Sequence, residues 1–367
     1  MAAISIDSLA PILMPVPQLL LVVGLVVKPS PYRWLLWPAI VGVASLLYPY
    51  TPNSEGITGV VLRAFDFLIL TDVQHSFRHV GQKTAIADAP LWDRVKWSLK
   101  LSTSMRGIGW NFEPKAGLPP KPQLTRREFL VSRGLLVLLQ GFMWDAMMLF
   151  VRRNTSFYGP SPPHAEHSFA WRAWCLIQFA VMSSSLLSGG YTMLAFLSVA
   201  AGFSEPNEWP HLFGNIFDAY TLRRFWGRTW HKVLHRTLTS HAKYVAHDIL
   251  RLTPGHTLSF YVQLYTAFLV SGIIHMHGLS DVRVLRFFLS QAVAITCEGA
   301  VLALGRGLGF SSQSWLLRCM GYVWVFCWLV YAMPPWWDSM KDTGVFDQGR
   351  GFSVLLGLYR GEWFPAD

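Results

Sequence analysis

The sequence predicts an all-α fold, a polytopic integral membrane helical bundle of about seven to nine transmembrane helices. Its composition is the first reason: of 367 residues, 52% are apolar and 14% charged, with 17 tryptophans and a mean hydropathy of +0.32. That is too apolar and too aromatic for an ordinary soluble domain. The second reason is a series of apolar runs close to the roughly 20 residues that a helix needs to cross a bilayer. The third is that these runs are continuous, without the alternation of a barrel strand, which suits helices that satisfy their own backbone hydrogen bonds.

In chain order the runs cover 12–27, 34–48, 129–151, 171–203, 258–275, 284–304 and 315–333. The first holds Pro15 and Pro17 and follows no basic stretch, so it reads as a retained helix and not as a cleaved signal peptide. The segment 57–73 is a weaker span because it carries Arg63 and Asp66, and Asp66 is expected to pair with Arg63 or to face a cavity. The run 171–203 has room for two helices, with a break expected around Ser188-Gly189-Gly190. Cys175, Cys297, Cys319 and Cys327 all lie in apolar segments without a CxxC pair, the pattern of packing residues. No repeat or composition boundary divides the chain, so 1–367 reads as one membrane domain.

The net charge of +10 is spread among short connections, as loop bias in a membrane protein would place it. Membrane lipid is therefore the expected partner, and nucleic acid is not. Two longer connections, 72–128 and 204–256, mix charges with aromatic rings that favour the interface.

The second connection concentrates chemistry. It holds six of the twelve histidines, seven Lys or Arg and four Asp or Glu, together with Trp209, Trp226 and Trp230. A cationic, aromatic surface suits an anionic ligand with a flat ring, such as the phosphates and adenine of coenzyme A. It equally suits a basic loop anchored by interfacial tryptophans. A helix over 221–238 would line Arg224, Arg228, His231 and His235 along one face.

The apolar run 258–275 ends in Ser271-Gly272-Ile273-Ile274-His275-Met276-His277. A histidine in such a setting carries a desolvation cost that a structural role seldom requires. His275 and His277 are two apart and point to nearly opposite sides of a helix, so they do not share one metal from a regular turn. His275 follows the longer apolar run, is expected to be the more buried, and is the candidate general base, since burial favours the neutral imidazole.

The order Leu222-Arg223-Arg224-Phe225-Trp226-Gly227-Arg228-Thr229-Trp230-His231, a span, then Phe268-Leu269-Val270-Ser271-Gly272-Ile273-Ile274-His275 resembles the membrane-bound O-acyltransferase superfamily in its wax-synthase-like branch. It is similar above all to fungal terpenoid and meroterpenoid acetyltransferases. Upstream, Arg106-Gly107-Ile108-Gly109-Trp110-Asn111 resembles a motif ahead of their catalytic half, so the match runs over about 106–277. The resemblance implies acetyl transfer from acetyl-CoA to a hydroxyl of a small hydrophobic alcohol, without a metal and without a covalent acyl-enzyme. It implies His275 as base and His231 at a second polar position that is often asparagine. Arg224, Arg228 and Lys232, with Trp226 and Trp230, become the acetyl-CoA contacts. An endoplasmic reticulum membrane is expected on the same ground, although 361–367 shows no retrieval tail. Nothing in spacing fixes acyl length, so a long-chain wax-ester synthase stays open.

Two other classes compete. His75 with His79, and His231 with His235, are HxxxH pairs that on a helix would place two imidazoles on one face, as in membrane di-iron hydroxylases and desaturases. The chain lacks the adjacent histidines of such enzymes. Prenyltransferase or cyclase chemistry would call for a DDxxD-type cluster, which the chain also lacks. A transporter would use intramembrane polar residues and broken helices, and the serine-rich 183–190 would fit, but no repeat symmetry supports it.

Overall fold

The computed structural model describes residues 6–50, 55–154, 157, 162–276, 281–309, 314–344 and 352–364. Among them the regular structure is helical, and the β feature is an isolated antiparallel bridge between His79 and Trp110. The helices are α1 Ile6–Leu13, α2 Val16–Val26, α3 Leu36–Leu47, α4 Glu55–Phe65, α5 Val73–Ser76, α6 Leu91–Thr103, α7 Arg126–Arg152 and α8 Phe169–Ala200. There follow α9 Leu222–Arg224, α10 His235–Lys243, α11 Thr257–Ile274, α12 Val282–Gly307, α13 Trp315–Ala332, α14 Pro334–Asp342 and α15 Val354–Arg360. Among the described residues five helical stretches are long and apolar enough to cross a membrane: α7, α8, α11, α12, and α13 together with α14. The chain is a polytopic helical membrane protein.

Two expectations change. The first apolar run is two helices, α1 and α2, because Pro15 and Pro17 remove backbone donors where a continuous helix would need them. The eleven residues of α2 reach about 16 Å at 1.5 Å per residue, short of a hydrocarbon core of roughly 30 Å. Conversely, α8 runs unbroken through Ser188-Gly189-Gly190. Ser183 Oγ donates back to the Phe179 carbonyl at 2.7 Å, and Gln140 of α7 donates to Ser188 Oγ at 2.6 Å.

The residues pack as two compact units, 1–114 with 233–292 and 115–232 with 293–367. The first has an apolar core of Leu21, Leu25, Ile40, Phe67, Trp97 and Trp110. Two of its buried polar side chains answer a backbone need. Gln74 donates to the Val27 carbonyl at 2.8 Å and Arg94 to the Val26 carbonyl at 2.7 Å, satisfying the orphan acceptors at the end of α2.

Asp66 is fully buried, and its partner is Arg236 of α10, not Arg63, which donates instead to the Ser102 carbonyl. Arg236 makes a fork of two 2.8 Å bonds to the Asp66 carboxylate. Thr71 Oγ1 donates to Asp66 Oδ1 at 2.7 Å and accepts from Arg236 at 2.7 Å. The wider π-helical turn Asp66–Leu70, closed by Thr71 N on the Asp66 carbonyl, brings Thr71 back to the carboxylate. The guanidinium lies over Phe77 at 4.9 Å and Phe112 at 5.6 Å.

In the second unit α7 begins with a capping box, Thr125 with Glu128, and α8 with Ser168. Phe129 packs with Ala195 and Val199 between the two helices. Buried Asp145 accepts from Ser353 Oγ at 3.1 Å and Leu355 N at 2.8 Å, docking α15 on α7.

Asp66→Asn should cost about 1–3 kcal/mol by leaving the partly buried Arg236 guanidinium without its counter-charge. Thermal unfolding in detergent should show it, and Asp66→Leu with Arg236→Met should recover much of the loss.

Candidate functional site

The helix expected over 221–238 does not form, so Arg224, Arg228, His231 and His235 do not line one helical face. Thr221 caps α9, a π-helical turn Phe225–Thr229 follows, and the backbone is extended at Trp230 before α10 starts at His235. The reason lies at Thr229. Its carbonyl accepts from Gly214 N at 2.9 Å and its hydroxyl donates to the Asn215 carbonyl at 3.0 Å, so a neighbouring loop takes the groups a helix would use. Gly214 lies so close to the Arg228 carbonyl that no Cβ fits there.

The start of the turn is held by a carboxylate from inside an apolar helix. Glu298 of α12, 9% exposed, accepts from Leu222 N at 2.8 Å, Arg223 N at 3.2 Å and Trp324 Nε1 at 3.0 Å. It meets the unsatisfied donors of a helix start, where negative charge is favoured. Sequence reasoning missed Glu298, although a lone acid in 284–304 was its signal.

Arg224 and Arg228 converge on Asp218. Arg224 pairs directly with the Asp218 carboxylate, while Arg228 Nη1 is 3.8 Å from it. Arg224 also stacks over Tyr220 at 4.3 Å. Part of the cationic surface is thus already compensated, and Arg228 is the more exposed of the two. Lys232 Nζ donates to the Ala116 carbonyl at 2.6 Å, and burial, then the nearby Arg228 charge, push its ammonium pKa down. Trp226 and Trp230 stand edge-on to each other, 5.9 Å apart. Trp230 and Phe213 flank the half-buried His231 ring at 5.3 and 5.9 Å. Arg224, Trp226, Arg228, Trp230, His231 and Lys232 all belong to the second unit.

His275 belongs to the first unit, where it caps α11 at its C-terminal end. It is half-buried, less enclosed than expected, because the helix stops there. Its ring Nδ1 lies 2.8 Å from the Ser271 carbonyl. A carbonyl only accepts, so Nδ1 carries the proton and Nε2 is the basic nitrogen. The ring packs on Phe288 at 4.9 Å, and Gly272 permits the close approach of α12 at Leu285 and Phe288. His277 lies outside the described residues.

The Arg106-Gly107-Ile108-Gly109-Trp110-Asn111 motif is a turn in the first unit. Gly107 and Gly109 have φ of +67° and +78°, which favour glycine. Val80 N donates to the Gly109 carbonyl at 2.7 Å, and Trp110 packs against His79, Trp97 and Phe112. Through Phe112 the motif supports Arg236. The HxxxH pairs do not form as the di-iron reading needs. Helix α5 ends at Ser76, before His79, and a non-helical stretch separates His231 from His235. His75 Nδ1 instead contacts Asp72 at 2.7 Å.

A fully buried histidine, His164, escaped the sequence reading. Asp338 of α14 accepts from both the backbone N and the ring Nδ1 of His164, at 3.0 and 2.6 Å. The ring packs on Phe157 and Trp337. The signal was Asp338 directly after Trp336-Trp337, a charge at the end of an apolar run.

Fold and site together define a helical membrane protein with a histidine closing an apolar span and an organised cationic, aromatic turn. Residues 209–290 match the Membrane bound O-acyl transferase family. The chain is 34% identical to Acetyltransferase ple2 of Rhodocybe pseudopiperita over 97% of this chain and 98% of that one. It is 32% identical to Acetyltransferase eriL of Hericium erinaceus over 94% and 95%, respectively. The chain belongs to the membrane-bound O-acyltransferase family, alongside fungal acetyltransferases, and is an acyltransferase enzyme. No solved structure matches it.

Glu298→Ala should remove charge-assisted bonds worth roughly 1.5–3 kcal/mol each and disorder the turn. Activity should fall more steeply than membrane expression, and Glu298→Gln, which keeps an acceptor, should restore part of it.

Proposed function

We propose that this acyltransferase moves an acetyl group from acetyl-CoA to a hydroxyl of a hydrophobic terpenoid or meroterpenoid intermediate of secondary metabolism. Its setting is the endoplasmic reticulum membrane, and 1–367 works as one catalytic domain. The observation that carries the reading is the Nδ1–H bond of His275 to the Ser271 carbonyl, which leaves Nε2 as a base. The names of the relatives support acetyl as the group, and the O-acyltransferase family supports an acyl-CoA as donor.

In this mechanism Nε2 of His275 takes the hydroxyl proton as the alcohol oxygen bonds to the thioester carbonyl carbon. The tetrahedral intermediate collapses, the C–S bond breaks, and the imidazolium returns its proton to the departing thiolate. The family resemblance gives His231 the role of hydrogen-bond donor to the oxyanion. Arg228 and Lys232, with Arg224 behind them on Asp218, meet the coenzyme A phosphates, and Trp226 and Trp230 offer faces to its adenine. No step uses a metal.

Membranes carrying wild type or His275→Ala, given isotopically labelled acetyl-CoA and a panel of terpenoid alcohols, test this by mass spectrometry. Labelled ester with wild type alone is expected. Near-normal ester formation by His275→Ala would overturn the base assignment, and ester from long-chain acyl-CoA only would overturn acetyl as the group transferred. Replacing Arg224, Arg228 and Lys232 by Gln should raise KM for acetyl-CoA about tenfold, equivalent to about 1.4 kcal/mol, with little change for the alcohol.

A further inference from the structure

Arg133 sits in the apolar spanning helix α7 and is only 5% exposed. Its guanidinium lies over the Phe129 ring at 5.0 Å and its Nη1 is 3.3 Å from the His211 ring. Among the described residues no carboxylate pairs with it. A buried cation without a counter-charge is expensive, and an imidazole contributes no negative charge.

Beside Arg133 is a cavity of about 580 Å³, within the roughly 300–1,000 Å³ of small-molecule sites. Arg133, Lys121 and His211 give it a basic part, Leu135, Leu136 and Leu139 give it an apolar wall, and no acidic residue lines it. Leu135 and Leu139 are 65% and 55% exposed on a membrane-spanning helix, so they meet lipid chains. The occupant that matches both parts carries a negative head and a hydrocarbon tail, and it arrives from the bilayer.

We propose that this cavity binds one anionic phospholipid, its net negative headgroup on Arg133 and Lys121 and an acyl chain along Leu135 and Leu139. A guanidinium suits a phosphate through parallel hydrogen bonds. The site is independent of the acetyl-transfer reading.

The test is native mass spectrometry of the full chain in detergent with dioleoyl phosphatidylserine or dioleoyl phosphatidylcholine. Wild type should retain one phosphatidylserine about fivefold more than phosphatidylcholine, the scale of one cation near anionic lipid. Arg133→Gln should lose that preference. Leu139→Trp, at an exposed position, should fill the cavity and lower retention of phosphatidylserine without touching a charge, which keeps the test valid if Arg133→Gln fails to fold. Equal retention of the two lipids by wild type, or undiminished phosphatidylserine in Leu139→Trp, would overturn the proposal. Displacement of the lipid by glycerol phosphate at equal concentration would assign the site to soluble anions instead.

Discussion

The first unit depends on the ion pair between Asp66 and Arg236, two residues 170 positions apart in sequence, in which a fully buried carboxylate meets a partly buried guanidinium. The Asp66 charge is not tolerable there alone. The pairing makes sense of several separate features: the π-helical turn at Asp66–Leu70, the hydroxyl of Thr71, and the two rings over the guanidinium. The glycine-rich turn at 106–111 joins the same assembly, because it places Phe112 against Arg236 and Trp110 in the core. Arg236 lies in α10, which packs on α11, the helix that ends at His275.

The second unit applies the same chemistry to a different problem. A short helix followed by a wide turn leaves backbone N–H groups without acceptors, and apolar surroundings offer no water to replace them. Glu298 takes those donors, and Asp218 gathers two arginines that would otherwise repel each other. Both carboxylates position the turn, and neither need touch a substrate to matter. The cationic character of the turn is therefore a remainder after internal pairing.

At Arg133, where among the described residues no carboxylate answers the buried cation, a cavity with a leucine wall lies beside it. The contrast with Arg236 and Arg224 is informative. Those arginines have a carboxylate partner inside the fold, and the proposed lipid would bring Arg133 its negative charge from outside the chain.

Hydrophobic patterning in the sequence determined the helical membrane class, the places of α7, α11 and α12, and the two patches bearing His231 and His275, because apolar runs and desolvated histidines are local signals. The turn at 106–111 rests on local chemistry too, since only glycine readily adopts its positive φ values. The tertiary structure decided the rest. It broke the helix expected over 221–238 because a loop at Gly214 claimed the Thr229 carbonyl, and it kept α8 whole because Gln140 met Ser188 from the neighbouring helix. It gave Asp66 to Arg236 instead of Arg63 and brought Glu298 to α9, since a buried charge selects its partner by position in space, and spacing along the chain carries no record of that choice.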